Sequence, residues 1–239
     1  MAGHSKFANI KHKKEREDNK RGKVFTRLAR EIVVAVKEGG KELEFNPRLR
    51  VAIDRAKGAN MPKDNIDRAI KKGAGEIEGG ELVEIRYEGY GPGGVAFIVT
   101  ALTDNKNRTA SEVRHAFNKY GGSLGETGSV GWIFEKHGLI VLENSGVGEE
   151  EIMDLVVENN LDDFEIAEGD IYLFCSAQDL YKNVEVCSSK YKVKEAKFHL
   201  LPSNFVDADS ELKDKIENMS NHLEGLDDTQ EVFCNIKNV

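Results

Sequence analysis

Cysteine is scarce in this chain of 239 residues: only Cys175, Cys187 and Cys234 occur, and no two of them share a CxxC spacing. An odd, unspaced set excludes a disulfide framework and carries no zinc signature, so the three read as reduced thiols, mostly in the core. Proline is scarce too, 4 against 23 glycines, and the remainder is 39% hydrophobic and 32% charged. That balance excludes collagen-like, low-complexity and disordered chains. No apolar run approaches the ~20 residues that a membrane helix needs. The opening MAGHSKFANIKHKK has no apolar h-region, and Ala2 stands where a myristoylated chain carries glycine. Together these absences predict a cytoplasmic protein with no membrane partner.

Catalytic and cofactor motifs are lacking as well. Gly89, Gly91 and Gly94 match GxGxxG formally. That fingerprint works when a helix follows, because the pyrophosphate sits on the helix N-terminus, whereas a β-branched strand pattern follows here. A glycine hairpin is expected instead. There is no GxxxxGK[ST], no GxSxG, and no HExxH or neighbouring cysteine among the six histidines. The expectation is a protein that is not an enzyme, with no cofactor, no metal and no small-molecule substrate.

What the chain does have is a lopsided charge. Residues 1–80 hold 20 Lys+Arg against 12 Asp+Glu, while residues 81–239 hold 14 against 30. A basic end on an acidic body suits a polyanion gripped at one end and repelled by the rest. Residues 1–19 read as an arm with little apolar periodicity, carrying Lys6, Lys11, Lys13, Lys14 and Arg16, with Phe7 and His12 interleaved as stacking and hydrogen-bonding groups. From Lys20 to Lys37 a helical period sets Phe25, Leu28, Ala29, Ile32 and Val36 on one side and Lys20, Lys23, Arg27, Arg30 and Lys37 on the other. Arg21 lies in the same basic stretch. The alternative for this face is a solvated charged surface; the one-sided excess and its continuity with the arm favour nucleic acid.

Asn46 as cap and Pro47 at the first helical position predict a second helix to Gly58, and Pro62 opens a third ending near Gly73. After GAGEIEGG (73–80) the period becomes alternating, which marks a domain boundary. LVEIRYEGY (82–90) and VAFIVTALT (95–103) read as a hairpin. Thr109 with Glu112 spells a capping box for the helix that follows. Lys106, Asn107, Arg108 and Arg114 cluster at its start and read as a second anion contact, the alternative being a capped helix with solvated charges. From about 131 to 201 the element order is βαββαβ, the ferredoxin-like arrangement. The final helix (Leu212, Ile216, Met219, Leu223, Leu226) and the strand EVFCNI (231–236) cannot stand alone, and they are expected to complete the sheet begun at residue 82.

The segments MAGHSKFANIKHKK, RGKVFTRLAREI, NPRLRVAIDRAKGANMPKDNIDRAIKKG, YEGYGPGGVA and TDNKNRTASEVRHAFNKYGGSLGETGSVGWIF closely resemble the YebC/PmpR family, to which the mitochondrial translational activator of cytochrome oxidase is related. Phe7 departs from the pattern, which has tryptophan there. The resemblance implies an α+β protein of three domains: an N-terminal basic arm and three-helix domain (1–79), a discontinuous middle α+β domain (80–130 and 204–239), and a ferredoxin-like domain inserted into it (131–203). It also implies a non-catalytic cytoplasmic regulator that binds DNA in transcription. Some members resemble ribosome-associated factors that bind ribosomal RNA and relieve stalling at proline runs. A protein-interaction adaptor using the ferredoxin-like domain, with its acidic body and strand edges, is a third expectation.

Overall fold

Asn46 is nearly buried, and it ties two helices together. Its Oδ1 accepts from the Leu49 backbone N–H at 2.9 Å, capping α2 (Pro47–Gly58), while its Nδ2 donates to the Ala35 and Gly40 carbonyls at the end of α1 (Arg21–Gly39). One amide thereby serves donors and acceptors that two helix ends would otherwise leave bare. The computed structural model describes residues 21–77, 82–167 and 169–237, and within these the chain forms two compact units.

The first unit comprises Leu28–Glu78 and Lys136–Leu200. It holds most of α1, α2, α3 (Lys63–Gly73), and a sheet of β4 (Phe134–Glu143), β5 (Asp163–Ala167), β6 (Asp170–Ser176) and β7 (Val193–Pro202) with α5 (Glu149–Glu158) and α6 (Leu180–Ser188). The strand order β5-β6-β4-β7, with one helix in each crossover, is the expected ferredoxin-like topology. Ile140, Leu142, Ile171 and Leu173 pack with Ile152 and Val184 of the two helices, and Val51 of α2 joins that same core. Cys175 and Cys187 are buried in it, and burial pushes the Cys187 thiol up to about 12, which keeps it protonated and inert.

The second unit is a four-stranded antiparallel sheet, β3-β1-β2-β8, built from β1 (Val83–Tyr90), β2 (Ala96–Thr103), β3 (Ser123–Leu124) and β8 (Thr229–Cys234). Between β2 and β3 runs α4 (Lys106–Lys119), and α7 (Ser210–Glu224) precedes β8. The two helices bury Val113, Phe117, Ile216, Met219 and Leu223 against Phe97 and Val99 of the sheet. As expected, the C-terminal helix and strand complete the sheet begun at residue 82. At the point where the chain leaves and re-enters this unit, Ser203 clamps the two crossings together: its N–H and its hydroxyl both donate to the Ile133 carbonyl, at 2.7 and 2.9 Å.

The glycines of GYGPGG lie at a tight turn between two strands, and some of them stand where a side chain would collide. A 3-10 turn at Pro92–Gly94 leads into β2, and a Cβ on Gly89 would stand 2.5 Å from the Ser123 carbonyl and 2.7 Å from the Phe117 ring. Two expectations need correction. The cap of α4 is Asn105, whose side chain accepts from the Arg108 N–H at 3.1 Å; Thr109 lies one turn inside the helix with its hydroxyl buried. And α1 is not two-faced along its length, since Ile32 through Val36 are all buried, which leaves no outward side there.

Two carboxylates are buried in the second unit. They are Asp228 and Glu88. Glu88 accepts from the Val130 and Gly131 N–H groups at 3.0 and 2.7 Å, and its other oxygen lies 3.1 Å from Arg86 Nε. Burial pushes its pKa up, but the backbone N–H groups of Val130, Gly128 and Gly131, with the Arg86 cation, outweigh it and hold the carboxyl below its ordinary 4.5.

Two outcomes follow from this packing. Gly89→Ala should lower the unfolding free energy by about 1–3 kcal/mol, because the obstructing carbonyl belongs to a paired strand and cannot swing away; chemical denaturation measures it. Glu88 ionises more readily folded than unfolded, so its stabilisation is complete above pH 4.5 and drains away as pH falls through the lower folded value. The unfolding free energies of wild type and Glu88→Gln in urea should therefore differ by about 1–3 kcal/mol at pH 7 and converge once the pH falls below the folded value.

Candidate nucleic-acid interface

The structure describes only part of the basic set singled out from the sequence. Lys6, Phe7, Lys11, His12, Lys13, Lys14, Arg16 and Lys20 lie outside the described residues. Arg21 and Lys23 fall in the first turns of α1, with side chains also outside what is described. Arg27 and Arg30 are half-buried. Arg27 Nη2 donates to the Glu224 carbonyl at 3.1 Å, a cation set against the C-terminal end of α7 where the helix dipole is negative. That contact is structural, yet a neutral carbonyl does not cancel the charge. Lys37, at the far end of α1, is exposed.

Arg108 has a partner of its own. Its Nη2 lies 2.7 Å from Asp228 Oδ2 and 3.2 Å from Asp104, and Nε also donates to Asp228. Asp228 is wholly buried, 2.7 Å from the Thr109 hydroxyl and 3.0 Å from that of Thr103. The guanidinium, 44% exposed, thus caps a buried carboxylate, whose hydrogen bond and charge raise the arginine pKa still further. Arg114, two turns into α4, is exposed.

The cations of α2 are committed in the same way. Arg48 pairs with Glu38, Arg50 with Glu185, Arg55 with Glu31 and Glu195, and Lys57 with Asp54. Those of α3 are not. Ile66 and Ala69 are buried, and at 100° per residue Arg68, Lys71 and Lys72 fall on the opposite side of the helix. Lys63, Arg68 and Lys71 are exposed, Lys72 is half-buried, and none of the four makes an ion pair or side-chain hydrogen bond among the described residues. Unpaired cations on a rigid helix meet phosphates without first breaking an ion pair. Sequence reading passed over this face, although its signal was present: the Lys-Lys of the last turn and Arg68 stand opposite the apolar stripe of Ile66, Ala69 and Ile70.

Two family models match the chain: one described as the TACO1/YebC protein N-terminal domain, over residues 5–76, and one described as the TACO1/YebC second and third domain, over residues 82–236. A protein of Thermotoga maritima named probable transcriptional regulatory protein is 48% identical over 239 residues, covering 99% of this chain and 94% of its own. The Bacillus subtilis protein named probable transcriptional regulatory protein YrbC is also 48% identical, with 99% and 100% covered. Among solved structures, a conserved hypothetical protein from Aquifex aeolicus matches with a TM-score of 0.84 and 46% identity, over 92% of this chain and 91% of that one.

The Asp228 cluster sets a measurable expectation. Asp228→Ala removes the acceptor that two buried hydroxyls and a guanidinium share and should cost about 3–5 kcal/mol of unfolding free energy. Arg108→Ala should cost less, since its site opens to water. The double variant should fall well short of the sum, because the two residues act as one group; denaturant unfolding of all four proteins gives the coupling.

Proposed function

The chain belongs to the TACO1/YebC family, and from that premise we propose that it is a cytoplasmic, non-catalytic regulatory protein that binds nucleic acid, holding phosphates with its basic N-terminal segment and with the exposed cations of α3. The observation that carries the reading is the contrast between α2 and α3. On α2 each cation is paired with a carboxylate, while on α3 Lys63, Arg68 and Lys71 stand exposed and unpaired among the described residues. A folded basic face next to an acidic remainder orients a polyanion. Duplex DNA is the first target to test, since relatives 48% identical are named probable transcriptional regulatory proteins.

A second reading, a ribosome-associated factor that binds ribosomal RNA, is favoured by one feature of α1. The helix is buried on all sides from Ile32 to Val36, so its length is not free to lie in a major groove. Co-migration with ribosomal subunits in a sucrose gradient of cell lysate supports this second reading; its absence, together with duplex binding, supports the first.

Phosphate contacts release counterions, so the logarithm of affinity should fall with the logarithm of salt by roughly 0.7–0.9 per contact. Arg68→Ala combined with Lys71→Ala should reduce that slope by about 1.4–1.8 and weaken binding to all sequences alike. Replacing Lys11, Lys13 and Lys14 with alanine should flatten it further. Equal slopes for wild type and the α3 double variant would show that this face is only solvated and would refute its role in binding.

A further inference from the structure

Two aromatic side chains of the second unit face water: Trp132 is 70% exposed and Tyr90 is 40% exposed. Each directs its polar atom at one and the same acceptor. The Tyr90 hydroxyl donates to the Ser129 carbonyl at 3.3 Å, and Trp132 Nε1 donates to it at 3.2 Å. With both donors satisfied inside the protein, what the pair presents outward is aromatic surface. An exposed tryptophan ordinarily collapses onto its own chain or finds a partner; here the ring is tethered in the open.

The loop that carries Trp132 is set from within. Glu88 gathers the Val130 and Gly131 N–H groups, and the Gly125 N–H donates to the Glu88 carbonyl at 2.8 Å. Arg86 completes the arrangement: a Cβ on Gly131 would collide with its Nη2, so the guanidinium lies against the residue immediately before Trp132. The Glu88 side chain is 2% exposed and that of Arg86 39%, so an approaching ligand meets the cation and not the anion.

We propose that Tyr90, Trp132 and Arg86 form a stacking site for an unpaired base of single-stranded nucleic acid, the two rings taking the base and the guanidinium the adjoining phosphate. The proposal rests on the nucleic-acid reading above and adds to it the class of ligand. Every base has a π-face, so the site tolerates sequence; a duplex keeps its faces stacked inside, so the site discriminates against paired strands. Cation and ring act together, the one on the backbone and the other on the base.

Trp132 is the only tryptophan in the chain, so intrinsic emission reports on this site alone. The full-length protein is titrated with oligo-uridine and oligo-deoxythymidine of about ten nucleotides, within the length such sites cover, and with a duplex of equal length. Binding is followed independently by anisotropy of labelled copies. Single strands should quench Trp132 emission and the duplex should not, and the ratio of the two single-strand affinities shows whether the sugar is read. Trp132→Ala should weaken single-strand binding by roughly 5- to 150-fold with the salt slope unchanged, while Trp132→Phe retains most of the affinity. A single strand that binds by anisotropy with emission unchanged, and with equal affinity for Trp132→Ala, overturns the stacking site, leaves the nucleic-acid reading standing and assigns the aromatic pair to a protein contact. Equal quenching by the duplex overturns the selection for unpaired bases. Absence of any anisotropy change refutes the nucleic-acid reading itself and this site with it.

Discussion

A carboxylate removed from water must be surrounded by donors, and Asp228 is the point in the second unit where that requirement shapes the chain. Its oxygen draws in the Thr103 hydroxyl at the end of β2, the Thr109 hydroxyl in the first turns of α4, and the Arg108 guanidinium that closes the site from outside. Its own carbonyl accepts from the Leu102 N–H at 2.9 Å, which fixes the turn entering β8 beside the strand it pairs with. Helix start, strand end and C-terminal strand are thereby placed by one anion. Glu88 does the same at the opposite end of β1, where it fixes a loop. Both anions are buried behind an arginine that remains partly exposed, so each shows a positive exterior over a negative centre.

This arrangement bears on how charge is to be counted. A tally of Lys and Arg treats Arg55, Arg108 and Lys71 alike, but Arg55 is paired with Glu31 and Glu195, Arg108 is paired with Asp228 while partly exposed, and of the three only Lys71 is exposed without an ion pair among the described residues. The electrostatic surface that a polyanion meets is what remains after internal pairing. Among the described residues of the first unit that remainder includes Lys63, Arg68 and Lys71 of α3 and Lys182 of α6.

Much of the fold was legible in the sequence because local rules and tertiary structure agree there. Asn46-Pro47 opens α2, the alternating period gives β1 and β2, and the βαββαβ order yields the sheet order that this topology requires. The misreadings share one cause, which is that a local pattern was satisfied by a distant partner. Thr109-x-x-Glu112 looked like a cap, but Asn105 caps the helix and Thr109 serves Asp228, 119 residues away. The periodicity of α1 marked an apolar face, but Val33, Val34 and Ala35 are buried on the others too, because other elements cover the helix from more than one side. Arg108, read as an anion contact, likewise has a partner distant in sequence, Asp228, with part of its guanidinium left exposed. The pairing of Tyr90 with Trp132 through the Ser129 carbonyl has no sequence signal at all, since it depends on a loop folded around a carboxylate on another strand.

The clamp of Ser203 on Ile133 has a consequence for the order of assembly. Pairing β2 with β8 joins residues 131 apart, as between Thr100 and Glu231, and such non-local pairing makes a topology slow to form. Once the strands from β4 to β7 have found one another, the clamp holds their two ends side by side, and the stretch of chain still to be closed is roughly halved. Closure entropy depends only logarithmically on length, so the gain is about 0.6 kcal/mol, or roughly a threefold rise in the chance of encounter. The inserted segment therefore shortens the search for the C-terminal strand only slightly. Sequences of very different length could occupy the same position with little change in how readily the sheet closes.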